Sequence, residues 1–363
     1  MQRFGFIIHP IDLKDVYRKF PAARRLPQTW VEHAIKLLPP LDVSHITGVE
    51  SITGEQAEGW FVALPLTPSL MTEKIPVDEV IKRIVAAGIK AQENGAKIVG
   101  LGAFTSVVGD AGISVAKELD IAVTTGNTYT VATALQGIEY AASMMEIDLD
   151  KAAICVLGAS GSIGKACARI IARKGRRLTL VARDQNRLNE TAALINEESG
   201  NQVAIEQDLA TAVRGADVVV AVTSATEALV DACDLRPGAI VCDVSRPRNI
   251  SKAVAQIRKD VLVFEGGVVG VPGNVDFGFN FGFPPRTSYA CMAETMILAL
   301  ENRYENFSLG RDLDVDKVDE IAALAVKHGF RLAGLRSFER AVAEEDIKEV
   351  KRLASAANKR VIV

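Results

Sequence analysis

The residues best placed to do chemistry are the glycines of Gly158-Ala159-Ser160-Gly161-Ser162-Ile163-Gly164. A tight turn between a strand and a helix lets backbone N–H groups at the helix N-terminus face a pyrophosphate. Side chains at the glycine positions would block that approach. The spacing is Gly-x-x-Gly-x-x-Gly, a variant of the commoner Gly-x-Gly-x-x-Gly that occurs among NADP-linked folds; a glycine triplet by itself also fits a plain strand-to-helix turn. The next strand ends in Ala182-Arg183-Asp184-Gln185-Asn186-Arg187. An acidic residue there bonds a ribose 2′-hydroxyl, whereas an arginine accommodates a 2′-phosphate, so Arg183, with Arg187 one turn later, points to NADPH. Asp184 is then the cap of the following helix. Thr223-Ser224, a small polar edge at the end of a later strand, and Gly266-Gly267, where backbone can approach a cofactor, complete the expected nucleotide site.

Two further polar turns are Gly102-Ala103-Phe104-Thr105-Ser106 and Thr124-Thr125-Gly126-Asn127-Thr128. Each follows a predicted strand, and in open α/β sheets ligands bind at the C-terminal ends of strands. The same Thr, Ser and Asn side chains also suit the caps of the helices that follow, and both readings stand.

Elements that alternate strand and helix must position these turns. Ile154 to Leu157 is an uncharged apolar run, the pattern of a strand buried on both faces. Ile163, Ala166, Cys167, Ile170 and Ile171 then recur at helical spacing. Further strands are expected at 178–181, 203–205, 217–222, 239–244 and 261–265, with 266–273 closing the sheet. Upstream, 4–8, 97–101 and 121–124 read as strands, 44–53 and 58–64 as a hairpin, and 76–95 and 130–145 as helices. This predicts an α/β chain: a Rossmann-type doubly wound parallel sheet over 150–285, an N-terminal α/β substrate domain with a largely parallel sheet over 1–149, and C-terminal helices over 286–363 that pack back toward the first domain. Phenylalanines 277, 279, 281 and 283 alternate and, as a strand, would share one face: core, or the lining of an apolar channel.

A length of 363 residues allows two domains, and a net charge of −3 argues against nucleic acid as the main partner. No run of 18 apolar residues and no signal-peptide pattern appears. Five scattered cysteines without a Cys-x-x-Cys pair predict a reduced, cytoplasmic chain lacking disulfides or metal.

Taken together, Leu101-Gly-Ala-Phe-Thr-Ser106, Thr124-Thr-Gly-Asn-Thr128, Val156 through Gly164, Leu180 through Leu188, Gly266-Gly-Val-Val269, Tyr289-Ala-Cys-Met-Ala-Glu294 and Glu305-Asn-Phe-Ser-Leu-Gly-Arg311 resemble the cyanobacterial long-chain acyl-acyl-carrier-protein reductases. That family lies within a shikimate dehydrogenase-like and glutamyl-tRNA reductase-like group. The resemblance implies reduction of a fatty acyl thioester, on acyl-carrier protein or coenzyme A, to the aldehyde with NADPH. It also implies an acyl group held on the cysteine at the matching position, Cys291. A thiolate exchanges one thioester for another at little cost, and a predicted helix N-terminus at Cys291 would favour the thiolate. Thr105, Ser106, Thr125 and Asn127 are then the candidate donors to the developing oxyanion. An enzyme that consumes the aldehyde is a natural partner. The chain departs from the family after Gly266-Gly-Val-Val269, and beyond Leu335 it has no recognised counterpart.

Two other readings compete. A shikimate- or quinate-type dehydrogenase would share the architecture, but Asn-Val-Thr-x-Pro-x-Lys is missing and Tyr129 stands where an aspartate is expected. A catalytically silent NADP-binding regulator would keep the fold without the thiol chemistry.

Overall fold

The computed structural model describes the whole chain except Thr226, Glu227, Arg246, Pro247, Phe281, Glu339, Ile362 and Val363. The strands used below are β1 (Gln2–Ile8), β2 (Leu41–Glu50), β3 (Gln56–Ala63), β4 (Ile98–Leu101), β5 (Ala122–Thr124), β6 (Ala153–Leu157), β7 (Arg177–Val181), β8 (Ala204–Ile205), β9 (Val218–Ala221), β10 (Ile240–Asp243), β11 (Leu262–Glu265), β12 (Val268–Gly270) and β13 (Gly273–Asp276). The helices are α1 (Leu13–Lys19), α2 (Gln28–Leu37), α3 (Val77–Glu93), α4 (Ile113–Glu118), α5 (Asn127–Met145), α6 (Ser162–Arg173), α7 (Gln185–Ser199), α8 (Leu209–Arg214), α9 (Lys252–Ile257), α10 (Ala290–Leu300), α11 (Val315–His328) and α12 (Glu344–Val361). Two compact units divide the chain. Unit 1 holds Met1–Tyr129, Gly270–Arg311 and Glu320–Arg331, and unit 2 holds the rest.

Unit 1 is built on a six-stranded sheet in the order β13-β2-β3-β1-β4-β5. The pairs β3/β1, β1/β4 and β4/β5 are parallel, while the β2/β3 hairpin and the β13/β2 pair are antiparallel. The sheet is therefore mixed, because a hairpin and a late strand extend the parallel core at one edge. Both faces are covered, and the small residues show how. A Cβ at Gly5 would lie 2.6 Å from Ala91 on α3, whereas one at Gly100, paired with Phe6, would lie 2.1 Å from Thr295 Oγ1 on α10. Neighbouring residues of a strand face opposite ways, so α3 and α10 lie on opposite faces. On α3 the apolar stripe Val80, Ile84, Ala87 and Ala91 is buried. The phenylalanine run does not form the expected strand. After Asp276 the backbone turns twice, at Gly278 (φ +58°) and Gly282 (φ +95°), with Asp276 and Asn280 carboxyl and amide oxygens accepting the N–H groups of those glycines. Phe277 and Phe279 instead pack around Phe61, Phe283 meets Tyr289, and Phe281 is outside the described residues.

Unit 2 holds the expected doubly wound sheet. Six strands run parallel in the order β8-β7-β6-β9-β10-β11, the 3-2-1-4-5-6 arrangement of a dinucleotide fold. Ile154–Leu157 and Val218–Ala221 are buried throughout, which explains their uncharged apolar sequences. The sheet ends at β11, and β12 is not one of its strands. The C-terminal segments separate: α10 belongs to unit 1 and α12 to unit 2.

Candidate active site

In unit 1 the turn after β5 closes on α10. Helix α10 is buried along its length, and Cys291 alone among its eleven residues is not fully buried. Cys291 occupies the first turn, after Tyr289 at the N-cap. Gly126 (φ +74°) lies directly against it, and a Cβ at that glycine would stand 2.2 Å from Cys291 Cα. The structure thus brings Cys291 together with the Thr124–Thr128 turn. The other cysteines differ. Cys155, Cys167 and Cys242 are sealed in the core, and burial pushes the thiols of Cys155 and Cys167 up to about 12, while Cys233 is exposed.

The group that fixes this turn is Glu294, one helical turn beyond Cys291 and fully buried. Its Oε1 accepts from Thr124 Oγ1 at 2.5 Å and Ser308 Oγ at 2.7 Å. Its Oε2 accepts from Thr128 Oγ1 at 2.6 Å and the Tyr129 N–H at 2.8 Å. Four donors on two oxygens satisfy a carboxylate that would otherwise be costly to bury. Ser308, held at φ +47°, takes the Thr125 N–H on its hydroxyl at 3.2 Å and the Thr125 hydroxyl on its carbonyl at 2.5 Å. A non-glycine residue in that region is strained and persists only when its surroundings over-determine it. The Asn127 N–H reaches Thr125 Oγ1 at 3.4 Å.

Thr105 and Ser106 sit in the turn after β4, where their hydroxyls donate to the carbonyls of Gly102 and Ala103 at 2.8 and 2.7 Å. His9 braces that turn: its Nε2 accepts the Phe104 N–H and its Nδ1 donates to the Pro10 carbonyl. Burial lowers the His9 pKa to about 4, so the ring is neutral and both bonds persist at ordinary pH. Tyr129 is buried and its phenol is pushed well above its usual range by desolvation, which removes it as a base in place of an aspartate.

In unit 2 the glycine turn lies at the topological switch point between β6 and β9. Gly158 (φ +86°) fits within 2.7 Å of the Val222 carbonyl and 3.1 Å of Thr223 Cα, and Gly164 within 2.3 Å of the Gly158 carbonyl, all measured from an added Cβ. Gly161 is different. It is the N-cap of α6 with no side-chain cap, and among the described residues an added Cβ would meet only the Gly158 carbonyl at 3.3 Å. Packing demands glycine at 158 and 164 but not at 161, where the open space lies over the helix N-terminus. That is the place a pyrophosphate takes against backbone N–H groups. Arg187 Nη2 donates to the Ser160 carbonyl at 2.8 Å and holds the turn. Arg183 is exposed, with no hydrogen bond or ion pair among the described residues. Asp184 caps α7 by accepting the Arg187 N–H, as expected.

Thr223 is anchored by Ser245 and Asn249: Asn249 Oδ1 accepts from Thr223 N at 3.2 Å, Thr223 Oγ1 at 2.8 Å and Ser245 Oγ at 2.6 Å. Those bonds orient the amide so that Nδ2, buried, has no partner among the described residues. A donor left over beside Thr223 suits an oxygen of a bound ligand. The residues present therefore fit a nicotinamide dinucleotide. Gly266 has a reason of its own, since an added Cβ would press on Val244 and Cys242, and Gly267 adopts φ +81°. Ser224 is exposed at the same strand end.

Glu294, Ser308 and Asn249 were not singled out from the sequence. A lone acid inside Ala-Cys-Met-Ala-Glu-Thr-Met-Ile-Leu, an otherwise uncharged helix, is the signal that marks Glu294.

Comparison with known proteins matches residues 139–265 to the shikimate / quinate 5-dehydrogenase family. Over 364 residues the chain is 32% identical to the aminotransferase PigE of a Serratia species, covering 96% of this chain and 42% of that one. The chain thus spans less than half of that protein. Over 308 residues it is 30% identical to the long-chain acyl-[acyl-carrier-protein] reductase of Synechococcus elongatus, covering 81% of this chain and 87% of that one. Among solved structures, the quinate dehydrogenase of Corynebacterium glutamicum in complex with NAD is similar at 14% identity and a TM-score of 0.38, over 89% of this chain and 98% of that one.

Proposed function

The chain belongs to the family of the long-chain acyl-[acyl-carrier-protein] reductase, and from that premise we propose that it reduces a long-chain acyl thioester, on acyl-carrier protein or coenzyme A, to the fatty aldehyde with NADPH. The observation that carries this reading is Cys291: the one incompletely buried residue of α10, in the helix's first turn, seated against Gly126. In the reaction Cys291 Sγ, as thiolate, attacks the thioester carbonyl carbon. The carrier's C–S bond breaks, and the carrier leaves as a thiolate that takes up a proton. The Gly158–Gly164 turn, with Arg183 toward a 2′-phosphate, would hold NADPH, which when bound would supply the hydride that reduces the Cys291-bound acyl group. The resulting alkoxide then re-forms its C=O bond as the C–Sγ bond breaks, which releases the aldehyde and restores the thiolate. Asn127, in the turn against Cys291, is the candidate donor to the oxyanion at both stages, because the Thr125 N–H and hydroxyl already donate to Ser308.

The neutral, buried Tyr129 counts against ketone–alcohol transfer of the shikimate type. An enzyme that consumes aldehydes is the expected partner, and an aminotransferase, the class named for the Serratia relative, is one class that does so.

The test mixes enzyme, NADPH and a long-chain acyl thioester and follows aldehyde, together with the intact protein's mass. Aldehyde and an acyl adduct are expected, and Cys291→Ser should abolish the adduct and lower turnover by about a thousandfold or more. Full turnover in Cys291→Ser would remove the covalent step. Absence of aldehyde from every acyl thioester, with NADPH still bound, would leave the silent regulator as the surviving reading.

A further inference from the structure

The segment from Phe20 to Leu38 presents a surface that neither nucleotide binding nor thiol chemistry uses. On α2, Val31 and Ile35 are buried and dock the helix on the core of unit 1. Trp30, His33, Ala34 and Leu37 recur at positions 0, 3, 4 and 7 and so form the opposite face. All four are exposed, Trp30 at 67% and Leu37 at 71%. A solvent face of a helix ordinarily carries charge, and this one offers only His33. The residues around it continue the pattern. The 3-10 turn Pro21–Arg25 buries no residue, and Phe20, Leu26 and Leu38 are exposed.

The charge on this segment is one-sided. Arg24 and Arg25 are exposed and have no hydrogen-bond or ion-pair partner among the described residues. Glu32, the acid of α2, is already paired with Lys74 at 2.5 Å. Between Asp15 and Glu32 the sequence holds Arg18, Lys19, Arg24 and Arg25 and no acidic residue, in a chain whose net charge is −3.

We propose that this surface docks the protein on an anionic lipid bilayer. Phe20, Leu26, Trp30 and Leu37 enter the boundary between headgroups and acyl chains, and Arg24 and Arg25 meet lipid phosphates. Interfacial elements combine an apolar face carrying Trp, Phe and Leu with Arg or Lys, and lie in the plane of the membrane. No helix among the described residues is long and apolar enough to cross one. The proportions favour lipid over an acidic protein partner. Such a partner is met chiefly by cations, whereas here exposed large apolar residues outnumber the two free arginines. The inference rests on this surface alone and stands whether or not Cys291 carries an acyl group.

The test uses the full chain and vesicles of phosphatidylcholine, with and without phosphatidylglycerol. The chain has two tryptophans, Trp30 and Trp60, so Trp60→Phe leaves Trp30 as the reporter. Trp30 emission should shift to the blue with phosphatidylglycerol vesicles, and the protein should sediment with them. Arg24→Ala with Arg25→Ala should weaken that binding about twenty-fivefold, since each cation near an anionic surface contributes about a fivefold gain. Trp30→Ser with Leu37→Ser should weaken binding to any vesicle by at least about tenfold. All four side chains are exposed, and unchanged melting curves would show that the fold is kept. Binding that the variants leave intact, or no binding to either vesicle, would overturn the proposal. So would a dimer, or a complex with an acidic acyl-carrier protein, that Trp30→Ser with Leu37→Ser abolishes while vesicles remain unbound.

Discussion

Each unit ends a parallel strand in a glycine turn, yet the two turns use glycine for opposite reasons. After β5, the space that a Gly126 side chain would fill is taken by the chain's own Cys291, whose Cα lies 2.2 Å from an added Cβ. After β6, the space over Gly161 is bounded, among the described residues, by one carbonyl at 3.3 Å. One turn is closed around a side chain that is part of the protein, and the other is open to something that is not. The difference fits the division of labour proposed above: the thiol must be held in place by its surroundings, whereas the dinucleotide enters and leaves in every cycle.

Gly126→Ala tests the closed turn most severely. A left-handed alanine costs about 1–2 kcal/mol and the overlap with backbone a further 1–3 kcal/mol. The expected loss of about 2–5 kcal/mol should appear in denaturant unfolding, with Cys291 chemistry lost in whatever remains folded. Glu294→Gln comes next. The amide would turn a donor toward one pair of its four donors, leaving them unpaired at roughly 1–3 kcal/mol each. Because Glu294 acts on Cys291 only through the Thr124–Tyr129 turn and Ser308, stability and thiol reactivity are separable readouts. In a Cys233→Ser background, we expect slower iodoacetamide labelling of Cys291 and a fall in kcat, with the Kd for NADPH unchanged. Lost stability at full labelling rate and kcat would make Glu294 purely structural.

Much of this comparison was written locally in the sequence, though not evenly. The apolar run Ile154–Leu157, the glycine spacing and the Asp184 cap are short-range signals, and unit 2 follows them closely. Unit 1 is assembled from distant pieces. Glu294 meets residues 165 to 170 positions upstream, and Ser308 meets Thr124 and Thr125 across more than 180. No periodicity encodes such pairings. The phenylalanine run shows the converse failure. Its alternation suggests a strand, but Gly278 and Gly282 take up left-handed turns stabilised by Asp276 and Asn280, and local turn chemistry prevails over side-chain period. Asn249 was hidden for a third reason: a buried amide becomes informative only once its oxygen is seen to be saturated and its nitrogen unpaired.

The open turn yields the sharper contrast between neighbours. Gly164→Ala places a Cβ 2.3 Å from the Gly158 carbonyl and should destabilise unit 2 by about 1–3 kcal/mol. Gly161→Ala, at φ −83° and ψ 163°, has an ordinary backbone and near-open space. Its unfolding free energy should stay within about 1 kcal/mol of the parent, because restricting the unfolded chain offsets a small contact cost. Its affinity for NADPH should nevertheless drop by at least about tenfold, since the methyl group would occupy the approach to the pyrophosphate. Equal affinity in Gly161→Ala would mean that the open space is not where the dinucleotide sits.

Arg183→Ala is expected to have the narrowest effect, confined to one phosphate and without cost to stability. The side chain is exposed and unpaired among the described residues, so its removal takes away no internal contact, and the melting temperature should not move. A charge-assisted contact to a 2′-phosphate is worth about 10- to 100-fold in binding. NADPH should lose that factor, while NADH, which carries a hydroxyl at the same place, should bind as before. Arg187→Ala is the informative neighbour. Its guanidinium donates to the Ser160 carbonyl inside the turn, so losing it should weaken both dinucleotides together. The two arginines thus separate recognition of the 2′-phosphate from support of the turn, and isothermal titration of each variant with both nucleotides distinguishes them. A loss shared equally by NADPH and NADH in Arg183→Ala would remove the basis for assigning NADPH and leave only a nicotinamide dinucleotide.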